Sequence, residues 1–391
     1  MSVVIEGAGI DRVLRDAVDA GAVPHVAAIV ADRDSVIYEG GVGPRIAGEA
    51  DEPVTTSTVF HIMSMTKIVA TAAALQQVER GQLDLDAPVA DYLPQFAEVQ
   101  LLDGFDGDTP RLRAPASRAT VKQLITHTAG CGYWFWSPDL AHYERVTGIP
   151  NVVGGSAEAF KAPMEVEPGS RFNYGINTDW LGKVVEVVAG KSLDVVIKEN
   201  ITGPLGMNDT MFLLDPGRKG NAVTVHMRNE AGQWTSAGFV CNFDSPDWWP
   251  AGHGLSSTPR DYVRFERMLL RGGELDGERI LTQQTVDAAF SNQIGELDFP
   301  AEIPSSDPSV SGPLRVGPGF KWGYGLLLNT SDIPGRRRAG SGGWAGLFNT
   351  HFWIDRTTGI CASIYTNSLP FITDEAWKLY GDFESAVYAS L

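Results

Sequence analysis

Cysteine is scarce: Cys131, Cys241 and Cys361 are the only three in 391 residues, they cannot pair off completely, and no CxxC spacing occurs. The chain therefore has neither a disulfide framework nor a thiolate metal site, which fits a reducing compartment. Basic charge is the second shortage. Lys and Arg number 31 against 48 Asp and Glu, a formal net charge of -17, so phosphate backbones and anionic lipid are repelled and neither nucleic acid nor a membrane is expected as a partner. The one tight basic run, Arg336 to Arg338, reads as a solvated strand end. No window reaches eighteen apolar residues, and the opening MSVVIEGAGIDRVLRDAV lacks the basic start, apolar stretch and cleavage site of a secretory signal. A cytoplasmic protein is expected.

Several catalytic templates are missing too. There is no GxSxG nucleophile elbow, no HExxH and no paired-histidine spacing suited to zinc. AGKSLD resembles the tail of a phosphate loop, but Val185 stands where its first glycine belongs and the segment falls inside a helical pattern. No metal and no organic cofactor is implied. His127 and His253 are read as structural.

What is present is an ordinary globular composition, 43% hydrophobic and 20% charged, long enough for one large or two interleaved domains. Residues 10–21 have helical spacing and end on Gly21, and HVAAIVADRD with SVIYEGGVG reads as a hairpin of strands. From about 120 to 215 the pattern is mostly helical. Residues 291–320, rich in Pro, Gly and Ser, read as a long surface loop. KWGYGLLLN, GRRRAG, LFNTHFWID and GICASIYTN are β-rich, and TDEAWKLYGDFESAVYASL closes the chain as an amphipathic helix. Strands near both ends predict an α/β fold of the α+β type: one antiparallel sheet flanked by helices, residues 1–60 and 255–391, with a mostly helical domain, 61–254, inserted between. The active site is expected in the cleft between them.

Three stretches carry candidate chemistry. In FHIMSMTKIVATAAAL, Ser64 and Lys67 lie three residues apart, so on a helix the amine reaches the hydroxyl. The apolar turns that follow offer no counter-charge, and burial of an unpartnered ammonium favours the neutral amine, so Lys67 is predicted to titrate below an ordinary lysine. A serine near a helix start with a lysine on its exposed first turn would give the same tetrapeptide. In PGSRFNYGINTDW, Tyr174 precedes a helix and could exchange a proton with Ser64 and Lys67, or could simply pack on the helix start; Asn177 is placed to cap it. GSGGWAGLFNTHFWID reads as a glycine-dense turn leading into an apolar strand, whose edge could offer a backbone N–H to a substrate oxygen. Trp134 and Trp136 in GYWFWS, and Trp249 in DWWP, are core aromatics or an aromatic wall for a substrate.

Together, in this order, these stretches resemble the serine β-lactamase and penicillin-recognising superfamily, in particular class C β-lactamases and family VIII carboxylesterases. The likeness runs from the first helix to the last. It implies a serine hydrolase with Ser64 as nucleophile, Lys67 and Tyr174 sharing the proton work with a Tyr174 phenolate as the favoured base, and an oxyanion hole from the backbone N–H groups of Ser64 and Leu347. Trp344-Ala345-Gly346 matches the W-x-G third motif of the esterases, where β-lactamases carry K-T-G. The tyrosine motif departs from Y-x-N, since Ile176 takes the last place and the nearest amide moves to Asn177, which would have to serve as the substrate-binding side chain. Both departures favour a neutral ester over an anionic lactam. The expected activity is hydrolysis of small to medium carboxylic esters, with transfer to alcohols open; an amide-cleaving β-lactamase or D-aminopeptidase and a non-catalytic binding protein are the alternatives, and a homo-oligomer is left open.

Overall fold

The computed structural model describes residues 5–49, 52–237 and 247–391. Along them run helix α1 (Ala8–Asp19), strands β1 (Val26–Asp32) and β2 (Val36–Val42), helices α2 (Thr66–Glu79), α3 (Asn177–Ala189) and α4 (Pro259–Leu270), strands β3 (Phe320–Trp322), β4 (Leu327–Asn329), β5 (Gly342–Gly346), β6 (Thr350–Asp355) and β7 (Ile360–Tyr365), and the closing helix α5 (Asp374–Ala389). The strands form one seven-stranded sheet in the order β3-β4-β5-β6-β7-β1-β2, antiparallel throughout. The expected sheet from both ends of the chain is therefore present.

Burial follows strand position. Inner strand β1 is buried at every residue and reads VAAIVAD, whereas the edge strand β2 mixes exposed and half-buried residues. On one face, α1 and α5 bury Ile10, Leu14, Leu379 and Phe383 against Val26, Val30 and Trp353. The other face packs on α2 and α4, which share a core with Ile29, Phe352 and Tyr365. The residues of α4 start cleanly, with Pro259 in the first turn and the Thr258 side chain accepting the Asp261 N–H at 3.1 Å. Helix α2 has no side-chain cap and is buried from Thr66 through Gln77. A helix apolar on all sides belongs inside a protein, and α2 lies between the sheet side and α3.

Five local readings change. The stretch before the helical region contains a hairpin, Leu101–Asp106 paired with Thr109–Arg113. Residues 291–320 are not a free surface loop: Glu302–Ile303 pairs with Leu314–Arg315, and Phe299, Ser311 and Leu314 are buried. GGWAG is strand β5 itself rather than the turn before a strand, and GRRRAG forms no strand. Nor is the basic run wholly solvated. Arg337 turns inward onto α5, its Nε 2.7 Å and one terminal nitrogen 2.9 Å from the two Glu384 oxygens. The spacing of like charges in sequence could not show that one of them meets a buried carboxylate. Cys131 and Cys361 are buried free thiols, and Cys241 lies outside the described residues. Among the described residues no helix is long and apolar enough to cross a membrane.

Glu266 of α4 is fully buried and faces Ser363 and Cys361 of β7 and the phenols of Tyr262 and Tyr365. Burial pushes its carboxyl from 4.5 up to about 8. Between those values the unfolded chain ionises the group and the folded chain does not, so stability falls as pH rises, by about 1.4 kcal/mol per unit at most. Glu266→Gln is expected to flatten this decline: its Tm should gain on wild type between pH 5 and pH 8, as followed by calorimetry.

Candidate active site

The turn that carries Ser64 is made by backbone strain and by one glycine. After the two-residue strand Phe60–His61, Met63 adopts a left-handed φ of 45°, a costly conformation for a side chain of this size. The 3₁₀ turn Met63–Met65 then carries Ser64 to the start of α2. Strand β5 closes on this turn at Gly346, where an added Cβ would lie 2.2 Å from the Ile62 carbonyl oxygen and 2.4 Å from Thr350 Oγ1. Only glycine allows that approach, and it brings Leu347 to line the same small pocket as Ser64.

Lys67 sits in the first turn of α2, 1% exposed, with its amine 3.2 Å from Ser64 Oγ. It also donates to the Gly252 carbonyl at 2.7 Å and to the Tyr133 hydroxyl at 3.0 Å. The amine stands 4.9 Å from the centre of the Tyr174 ring and 5.2 Å from that of Tyr133. Burial lowers its pKa from 10.5 to about 7, and the negative charge of Asp179 on α3 opposes the fall. The counter-charge that the residues after Lys67 lack thus arrives from a distant part of the chain.

Tyr174 is held from two sides. Gly175 packs on the Cys131–Gly132 backbone so closely that a Cβ there would lie 2.4 Å from Gly132. The Trp344 indole N–H donates to the Tyr174 hydroxyl at 2.7 Å. That phenol also exchanges a hydrogen bond with Ser64, yet burial outweighs these partners and raises its pKa above the usual tyrosine value. The phenolate expected from the sequence is therefore not the form this environment favours, because desolvation penalises the anion more than the nearby cation rewards it. Lys67 is the member of the group that titrates near neutrality.

Ser64, Tyr174, Trp344, Ala345, Leu347 and Trp136 wall a pocket of about 20 Å³, closed by Phe135 and Phe371. Trp344, Ala345 and Phe371 also wall a groove of about 500 Å³ that extends past Leu314, Phe320, Leu327, Ile333 and Trp377. The Trp136 indole N–H is fixed by Ser311 Oγ at 3.1 Å. Other aromatic candidates lie elsewhere: Trp134 packs edge-on against Phe135, and Trp249 lines a separate cavity with Phe212 and Met211. Asn177 does not reach the pocket. Fully buried, it donates to the Cys131 and Asn173 carbonyls at 3.1 and 3.0 Å and lies 3.0 Å from His127 Nδ1, so its amide braces the turn carrying Tyr174. His127 is kept neutral by burial beside Lys67, and burial takes His253 down to about 3.

Tyr133, Asp179 and Gly252 are the residues that sequence reasoning missed. Tyr133 was hidden in an aromatic run, and no local spacing announces the other two. Among the described residues no cluster of His, Cys, Asp and Glu could hold a metal ion.

Two outcomes are expected. Gly346→Ala should reduce acylation of Ser64 by a fluorophosphonate at least about 100-fold, the scale on which loss of an oxyanion donor acts. Lys67→Met should abolish acylation and remove the stability that wild type gains as pH rises from about 7 to 10.5, a range in which the unfolded chain binds a proton that the folded chain does not; Tm against pH by calorimetry checks it.

A family model described as beta-lactamase matches residues 10–384. Lovastatin esterase of Penicillium rubens is 30% identical over 381 residues, 90% of this chain and 90% of that protein. Monacolin J acid methylbutanoyltransferase of Aspergillus terreus is 30% identical over 355 residues, covering 86% of this chain and 83% of that enzyme. Unliganded simvastatin synthase of Aspergillus terreus superposes with a TM-score of 0.83 at 28% identity, covering 97% of each chain. A match over nearly the whole length, with a buried lysine amine beside Ser64, leaves one assignment: the chain belongs to the β-lactamase family and is an enzyme of the serine hydrolase class.

Proposed function

We propose that this enzyme is a carboxylesterase that forms an acyl-enzyme on Ser64 from esters with a short acyl group and a larger, apolar alcohol. The observation that carries the reading is the buried Lys67 amine, 3.2 Å from Ser64 Oγ. A neutral amine has two N–H groups and one lone pair. Gly252 and Tyr133 take the two hydrogens, which leaves the lone pair for the Ser64 proton.

Ser64 Oγ gives that proton to Lys67 and attacks the ester carbonyl carbon. The oxyanion forms against the N–H groups of Ser64 and Leu347, a donor pair in which each member is worth roughly 3 to 4 kcal/mol. When the tetrahedral intermediate collapses, the C–O bond to the alcohol breaks, and the proton on Lys67 passes to the departing oxygen. Water, or a second alcohol, then gives its proton to Lys67 and attacks the acyl carbon. Ser64 leaves and recovers the proton.

Size sorts the two halves of the ester. A space of about 20 Å³ beside Ser64 holds little more than one water-sized group, which suits a short acyl chain after modest side-chain movement. The groove of about 500 Å³ shares Trp344, Ala345 and Phe371 with it and suits the alcohol. Acyl transfer is the second reading, supported by the transferase named among the relatives. Trp344, whose indole is committed to Tyr174, offers no cation to a lactam carboxylate.

The test is a parallel assay of p-nitrophenyl acetate through decanoate, nitrocefin and a D-amino acid anilide, on wild type and Ser64→Ala. Expected are kcat/KM values highest for acyl chains of about four carbons or fewer, a slope of about tenfold per pH unit below pH 7, and no turnover by Ser64→Ala. Faster cleavage of nitrocefin than of every ester, or full ester turnover by Ser64→Ala, would overturn the reading.

A further inference from the structure

Asp179 is the third residue of α3 and is fully buried. It does not touch Lys67 directly. Its Oδ1 accepts the Gly252 N–H at 2.8 Å, and the carbonyl of the same residue, Gly252, accepts the Lys67 amine at 2.7 Å. A single residue thus links the carboxylate to the amine, and it has to be glycine, because a Cβ at position 252 would lie 2.5 Å from Asp179 Oδ2. That Oδ2 atom has no hydrogen-bond partner. An anion buried this way is expensive, and capping a loop N–H alone would not call for a charge.

The surroundings leave Lys67 as the charge Asp179 acts on. His253 Nδ1 is 3.8 Å from Oδ1, but burial keeps that imidazole neutral near pH 7. Lys183, one turn along α3, is only half buried and is shared with Glu186. Tyr133, Tyr174 and Cys131 face the carboxylate as neutral groups, each pushed upward by burial, and His127 faces Lys67 as a neutral ring. Burial raises the Asp179 carboxyl to about 6, with Lys67 as the largest opposing influence.

We propose that Asp179 is the positioning residue of the catalytic lysine: through the Gly252 peptide it aims the Lys67 amine at Ser64 Oγ, and through its charge it keeps that amine basic enough to take a serine proton. The inference rests on the reading of Lys67 as the base. A lysine in this pocket without Asp179 would lose its proton at still lower pH and would be a weaker acceptor, so the carboxylate sets where the acid limb of the reaction falls.

The test compares Asp179→Asn, Asp179→Leu and Gly252→Ala with wild type, reading kcat, KM and the pH profile for p-nitrophenyl acetate. Asn keeps an oxygen for the Gly252 N–H and removes only the charge. Its acid limb is expected to move down by one pH unit or more, with kcat at pH 8 reduced roughly tenfold and KM little changed. Leu removes the anchor as well and should lower kcat further. Gly252→Ala, which displaces the carboxylate without neutralising it, keeps the question open to measurement if the Asp179 variants do not fold, and should move the limb in the same direction. A limb that coincides with wild type in a folded variant overturns the proposal. Fluorophosphonate labelling separates the two levels: an unlabelled wild type removes the serine and lysine reading itself, whereas a labelled wild type with an unshifted Asp179→Asn removes only the role of Asp179.

Discussion

Everything at this site depends on taking one ammonium-bearing side chain out of water. A lysine on an exposed helix turn would be protonated at neutral pH and useless to the serine beside it. Here α2 is enclosed by the sheet side, by α3 and by the aromatic run around Tyr133, so the Lys67 amine sees two phenol rings, two hydroxyls and one carbonyl. Desolvation then brings the acid–base equilibrium near neutrality. The left-handed Met63, the bare Gly346 and the close packing of Gly175 all serve that enclosure. They bring backbone segments from three parts of the chain together without side chains between them.

The fold was legible in the sequence because burial leaves periodic traces. Continuous apolar runs marked β1, β6 and β7, and helical spacing marked α1 and α5. The hairpin at residues 101–113 was missed because it projects charged, exposed residues and its buried Leu101 and Leu102 are adjacent, so no alternation is written. Residues 291–320 misled for the opposite reason: proline and glycine signal irregular backbone, not exposure, and irregular backbone here packs against the core.

At the site, Ser64 and Lys67 could be paired because a helix fixes where residues three apart must point. Tyr174 and Trp344 needed the family resemblance, and their mutual hydrogen bond across 170 positions could not be read from either stretch. Asn177 was plausible by proximity in sequence to Tyr174, and Trp249 as part of an aromatic cluster. Side chains one helical turn apart can face entirely different partners, as Asn177 does in turning to Cys131 and His127. The phenolate reading of Tyr174 weighed one neighbouring charge and left out desolvation, which only burial reveals.

The seam at Gly346 also shapes how the site can change by mutation. Strand β5 and the Ile62 carbonyl meet there through backbone alone, so no rotamer exists to adjust and no smaller residue remains to be tried. Variation must fall instead on the neighbours whose side chains leave the seam, Trp344 toward Tyr174 and Ala345 toward the groove. The backbone seam beside Ser64 and the wall of the groove therefore sit on adjacent residues of one strand, and substitutions can revise the groove while the seam stays locked.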